Sequence, residues 1–171
     1  LGLVAFKARS MFLASYVGSP GVWQFDRIPG DVGCVGPRAL CDAAGLLVFV
    51  GEDNIMAFDG TRPRPIGDGV VRAWFLNDLS PTQKHRTILQ YEPSDGRVWI
   101  FYCSTANDSS SAPGTPDKAL VWHIARNAWG LVSLQVDAGL MFTSPTSTMD
   151  VLSGTLDGLP VESWDSQIWL T

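Results

Sequence analysis

Nucleophilic chemistry in this chain would have to start at Cys34, Cys41 or Cys103 and be helped by His85 or His123, its only thiols and imidazoles. A Cys–His pair works only when the imidazole lies within hydrogen-bond reach of the sulfur, and no spacing here brings the two together. His85 stands in the polar stretch Thr82-Gln83-Lys84-His85-Arg86 and reads as a surface residue. His123, inside Leu-Val-Trp-His-Ile, reads as a satisfied strand histidine. Neither has a companion at metal-ligand spacing, and HExxH, GxSxG and a P-loop are absent. Three cysteines make an odd number without C-x-x-C spacing, so neither a zinc site nor a disulfide framework is indicated. Buried thiols in a reducing compartment are the expectation, with a Cys34–Cys41 bridge left open.

Glycoside cleavage needs a pair of carboxylates. Asp53, Asp59, Asp68, Asp95 and Asp157 all abut turn glycines or asparagines, and the turn role accounts for them. Ser94-Asp95-Gly96-Arg97-Val98-Trp99 resembles the sialidase Asp-box, which is itself a structural hairpin motif, and it occurs once. A sialidase would also want clustered arginines; Arg62, Arg64 and Arg72 read as ordinary loop charges. No residue is therefore assigned a catalytic, cofactor-binding or metal-binding role, and no cofactor is expected.

The elements that would position any site are short. Hydrophobic residues make up 46% and charged residues 17% of the chain, which excludes disorder as the dominant state. With 17 glycines and 11 prolines, about one residue in six is punctuation between short elements. Twelve basic against 17 acidic residues give a net charge of −5, unlike the basic footprint of a nucleic-acid reader. The longest apolar runs, Leu46–Val50 and Val98–Cys103, fall far short of the roughly 18 residues that span a bilayer. Lys7 and Arg9 interrupt the apolar N-terminus, no cleavage site follows, and the first residue is Leu. An internal fragment or a processed product of a longer chain is the expectation, rather than a secreted precursor.

A repeat runs through the sequence. Gly-Leu-Val-Ala-Phe at Gly2, Gly-Leu-Leu-Val-Phe at Gly45, Gly-Arg-Val-Trp-Ile-Phe at Gly96 and Gly-Leu-Met-Phe at Gly139 are spaced by 43, 51 and 43 residues. Within the longest interval lies Ser104–Asp117, a polar 14-residue tract expected to be a solvated loop. Hairpins are predicted for Met11–Tyr16 with Val22–Ile28, Leu46–Val50 with Ile55–Phe58, Gln90-Tyr91 with Arg97–Tyr102, and Ala119–Ile124 with Trp129–Leu134. No segment of twelve or more residues holds a helical period, so no substantial helix is predicted; Pro81–Arg86 has room for one short turn. Repeated antiparallel units of this length predict an all-β fold of β-propeller blades, about four of them. The whole of residues 1–171 then forms a single propeller region with blade starts near 2, 45, 96 and 139. Trp23, Phe25, Phe49, Phe58, Trp99, Phe101, Trp122 and Trp129 would fill the space between blades.

The order of several motifs resembles structural proteins of tailed phages. Ile28-Pro29-Gly30-Asp31-Val32-Gly33-Cys34-Val35-Gly36-Pro37-Arg38-Ala39-Leu40 is similar to their "G-C-V-A-P-x-S-V" stretch, with Ala39 where serine is common. Asp59–Gly67 is similar to their "DG…PIG" segment, and the aromatic run Val71–Phe75 follows it. Asp95–Tyr102 and Leu120–Trp129 resemble later blades, and Leu156–Pro160 with Ser163–Ser166 resembles the entry into another. The likeness covers residues 20 to 170. It implies a virion component, the propeller-bearing nozzle or hub at the end of a short tail, and a longer parent chain. The strand Gln167–Leu170 would then begin a further blade, making this stretch an arc of a larger ring.

The implied function is structural rather than enzymatic: identical subunits dock in a cyclic ring, against neighbouring tail or adaptor proteins, around a conduit for exiting DNA. An acidic wall would let the genome slide without sequence-specific binding. Such a protein would be assembled in the host cytoplasm and reside in the virion tail, with no membrane span. Loops such as 104–117 would be candidates for contact with fibres or receptor. Two other classes stay open: a propeller module binding glycan or protein partners, and a glycoside-cleaving propeller.

Overall fold

The computed structural model describes residues 2–110 and 113–138. The repeat at Gly139, the Leu156–Ser166 motifs, Gln167–Leu170 and Asp157 lie outside the described residues.

Three antiparallel meanders follow one another, and none closes on itself. The first joins β1 (Gly2–Phe6), β2 (Met11–Gly18) and β3 (Val22–Arg27). The second joins β4 (Leu40–Ala43), β5 (Leu46–Val50), β6 (Ile55–Phe58) and β7 (Pro63–Pro65). A helix, α1 (Val70–Asp78), and a 3-10 turn (Lys84–Arg86) lead to the third. That sheet joins β8 (Ile88–Glu92), β9 (Arg97–Tyr102), β10 (Lys118–His123) and β11 (Ala128–Ser133). All four predicted hairpins are present, and β5 and β6 have the predicted ends. Gly45 and Gly96 stand inside the first hairpin turn of their sheets, after β4 and β8, rather than ahead of the sheet. At Gly45 the backbone reverses with φ of 88°, a conformation open to glycine, while its amide donates to Asp42 Oδ1 at 2.7 Å.

Side chains alternate between the faces of a sheet, so register shows what each face meets. In the second sheet Leu40, Phe49 and Met56 share one face, and Cys41, Val48, Ala57 and Arg64 share the other. Phe49 packs on Phe6 of β1 with ring centroids 4.9 Å apart. Leu46 and Arg64, on the opposite face, line a cleft together with Trp122 and Trp129 of the third sheet. The middle sheet is thus covered on both sides, which is why Leu-Leu-Val-Phe-Val is apolar at every position. One core cluster runs through all three sheets, from Met11 through Val48, Phe49 and Ile55 to Val98, Ile100 and Trp122.

The connections between sheets repeat as well. Val35 N–H donates to Val50 O at 3.0 Å, and Ser80 N–H donates to Cys103 O at 2.9 Å. Each linker therefore closes on the end of the second strand of the sheet it enters. In each the bonded residue lies at a Pro-bearing turn, Gly36-Pro37 or Ser80-Pro81. Gly33 makes the first crossing possible: a Cβ there would sit 2.2 Å from Lys7 O.

α1 departs from the all-strand reading. Its nine residues start from two valines, and Gly69 supplies no side-chain cap. Phe75 holds it by packing edge-on to Tyr102 at 5.0 Å. The loop 104–117 departs too. It contains a 3-10 turn (Thr105–Ser109) and is tied down by Asp117, which accepts from Ser104 N at 2.7 Å and from Ser104 Oγ at 2.6 Å. Asn107, also buried, donates to Thr115 O, so this polar tract is not wholly solvated.

Of the eight aromatics expected as filling, Phe49, Phe58, Phe101 and Trp122 are buried, and Trp99 and Trp129 are half-buried. Trp23 and Phe25 are not filling. They are 45% and 58% exposed on the outer face of the first sheet, where Lys7 covers only Phe12.

Candidate functional site

No hydrogen bond joins a thiol to an imidazole among the described residues. Cys34 is buried, with Sγ 3.1 Å from Gly36 O and 3.3 Å from Ala39 O, so its partners are carbonyls and not an imidazole. Cys103 is buried and Cys41 half-buried, and all three thiols are free. Burial raises each thiol, Cys41 to about 12 and Cys103 to about 11, with Asp42 and Asp117 respectively adding to the effect. Protonated thiols of this kind are poor nucleophiles. His85 is exposed in the Lys84–Arg86 turn, whereas His123 is half-buried and its Nδ1 accepts from Arg126 N in the β10–β11 turn.

Of the carboxylates read as turn residues, Asp59 makes its bonds within its own turn. Asp59 Oδ1 accepts from Thr61 Oγ1 at 2.6 Å and Thr61 N at 3.0 Å, and these bonds hold its carboxyl below the usual range. Asp95 pairs with Arg97 at 2.6 Å, and Asp68 accepts from Asn54 Nδ2 at 3.1 Å. At Asp53 the backbone carbonyl is the contact, accepting from Arg72 Nε at 2.7 Å. No group of three or more His, Cys, Asp or Glu side chains among the described residues could hold a metal ion. No helix among them is long and apolar enough to cross a membrane.

Two carboxylates tie elements together. Asp78, at the C-terminal end of α1, would face the negative end of the helix dipole. Lys118 Nζ donates to both its oxygens at 2.9 Å and Tyr102 Oη donates at 2.7 Å, which offsets that penalty. Burial, followed by the bond to Asp78, pushes the Tyr102 phenol well up. Glu52, in the β5–β6 turn, accepts from Lys84 and from Arg9, the latter at 3.3 Å. The Lys84 bond, then the Arg9 bond, holds its carboxyl below 4.5.

Two features remain unspent. The first is a cleft of about 510 Å³ between the second and third sheets, within the range of small-molecule sites. Leu46, Ile66, Val71 and Ile124 give it apolar walls, and Trp129 lines it, stacked on Trp122 at 5.8 Å and 23°. Arg64, Asp68 and Asn127 supply its polar atoms. Asn127 occupies the left-handed region with φ of 47°, which places its Oδ1 3.0 Å from Trp122 Nε1. The sequence reads Arg64 as a loop charge, Asp68 as a turn residue and Trp122 and Trp129 as filling between blades, and no signal in it brings them together. The second feature is the outer face of the first sheet. Leu3, Ala14 and Phe25 are paired across it, as are Tyr16 and Trp23, and Tyr16 meets Trp23 edge-on at 5.8 Å. Leu3 is 56% and Tyr16 65% exposed.

No protein-family model matches the chain, and neither does any curated protein.

Proposed function

We propose that this chain is a building piece of a short-tailed phage virion: part of a tail nozzle or hub subunit whose stacked sheets are consecutive blades of a propeller arc. Identical subunits surround the tail axis, seated on neighbouring tail or adaptor proteins, and the ring forms part of the conduit through which DNA leaves. The observation that carries this reading is the outer face of the first sheet, where Leu3, Tyr16, Trp23 and Phe25 form a contiguous apolar stripe open to water. A monomer seldom leaves such a stripe uncovered, and its function is association. Support also comes from the regular meanders and from linkers that close in the same way twice, beside the resemblance of the motif order to tailed-phage proteins. The net charge of −5 suits a wall past which phosphate slides.

The test is assembly. Light scattering and negative-stain microscopy of the full chain should give closed rings of several copies, and Phe25→Glu combined with Tyr16→Ser should return the protein to monomers. A monodisperse monomer at high micromolar concentration, with no rings on the grid, refutes the reading.

A further inference from the structure

The cleft between the second and third sheets has the makings of a binding site that assembly does not require. Arg64 reaches it by register: it pairs with Ala57 of β6 and so projects from the same face as Val48, toward the third sheet. Its guanidinium has no hydrogen-bond or ion-pair partner among the described residues. Asp68 Oδ1 accepts from Asn54, and its Oδ2 has no partner among the described residues. Asn127 Oδ1 accepts from Trp122, and its Nδ2 has no described partner; all three polar side chains are exposed at the rim of the cleft. The cleft therefore offers a forked cation, two amide donors and a carboxylate acceptor beside the half-buried indole of Trp129.

We propose that this cleft binds a sugar that carries a carboxylate, of the uronic or sialic acid class. An unpaired guanidinium is matched in charge and shape by a carboxylate, which it can hold with two parallel hydrogen bonds. The indole offers a flat apolar face to the C–H side of a pyranose ring. Asp68 accepts from a ring hydroxyl and Asn127 donates to one. A flat aromatic acid would satisfy Trp129 and Arg64 but make no bond to Asp68 or Asn127, and so forgo what those two bonds add to affinity. A neutral sugar would leave the guanidinium unmatched. The cleft volume admits one such ring with room for a neighbouring unit.

The inference stands apart from ring assembly and is tested separately. N-acetylneuraminic acid, glucuronic acid, glucose and benzoate are titrated into the full-length protein. Binding is read by calorimetry and by the shift of the Trp129 indole N–H resonance. Saturable binding of at least one acidic sugar, with glucose and benzoate weaker by about tenfold, is the expected result. Arg64→Gln should lower acidic-sugar affinity about tenfold and erase the preference over glucose. Arg62→Gln, a neighbouring exposed charge outside the cleft, should change neither. Because Arg64 holds no described partner, its loss should leave the unfolding curve in place, which separates lost binding from lost folding. The proposal is overturned if neither acidic sugar saturates a site, if benzoate binds best, or if Arg64→Gln binds as the parent does. Rings without sugar binding would overturn this inference alone; sugar binding by a monomer would overturn only the assembly reading.

Discussion

Replacing Gly33 by alanine probes the crossing that locks the first sheet to the linker. The new methyl would lie 2.2 Å from Lys7 O and 2.4 Å from both Ala8 C and Ala8 O, all backbone atoms without a rotamer to change. Relief requires the linker and the β1–β2 turn to part by about 1 Å, which stretches the Cys34 N–H bond to Lys7 O from 3.0 Å to beyond hydrogen-bond length. Overpacking costs about 1–3 kcal/mol and the lost bond about 1 kcal/mol, so the total is about 2–4 kcal/mol. With a urea slope of about 2 kcal/mol per molar, the unfolding midpoint falls by about 1–2 M, read by tryptophan fluorescence. Gly45→Ala is the internal comparison. Nothing lies within 4 Å of its Cβ, and only the positive φ resists the change, at a cost of about 1–2 kcal/mol. If Gly33→Ala unfolds at the parental midpoint, or is milder than Gly45→Ala, the close crossing is not what holds these segments together.

Lys118→Met should cost about 2–3 kcal/mol in urea unfolding, because Asp78, whose side chain is 19% exposed, keeps only the Tyr102 hydroxyl as partner. Asp117→Ala should free the 104–117 loop, seen as lost hydrogen-exchange protection at the Ser104 amide while β5 and β6 stay protected. Glu52 is held below 4.5 in the folded chain, so the unfolded chain binds more protons in that window. Its contribution is full above pH 4.5 and disappears as pH falls through the folded value; Glu52→Gln should flatten that part of the acid unfolding profile. The thiols work in the opposite sense. With Cys41 near 12 and Cys103 near 11, the unfolded chain loses protons first, so stability should decline as pH rises above 9, and native thiols should label slowly at pH 8.

What the sequence disclosed, and what it hid, follows from where each signal resides. β5, β6 and β9 were legible because continuous apolar runs ended at turn residues such as Asn54, Asp59 and Gly96. β4 and the first two residues of β8 were not, since Leu-Cys-Asp-Ala and Ile-Leu carry no clear alternation and owe their strand state to pairing with β5 and β9. α1 falls below the length at which a helical period is recognisable, and Phe75 anchors it through a contact with a residue 27 positions away. The polar composition of 104–117 suggested solvent, yet Ser104 and Asn107 are buried because Asp117 and Thr115 meet their needs. Strand pattern alone does not say which sheet face is covered, so Trp23 and Phe25 looked like filling. The cleft was illegible for the same reason: Leu46, Arg64 and Trp129 converge only through the stacking of two sheets.

The short outer strand of the second sheet has a consequence for growth. Two of the three residues of β7 are proline, so they present no amide hydrogen to a foreign strand. Recruitment of further copies by ladder extension, the route to fibrils, is blocked at that border. Contact through a side-chain surface needs no free amide and is not blocked by these prolines.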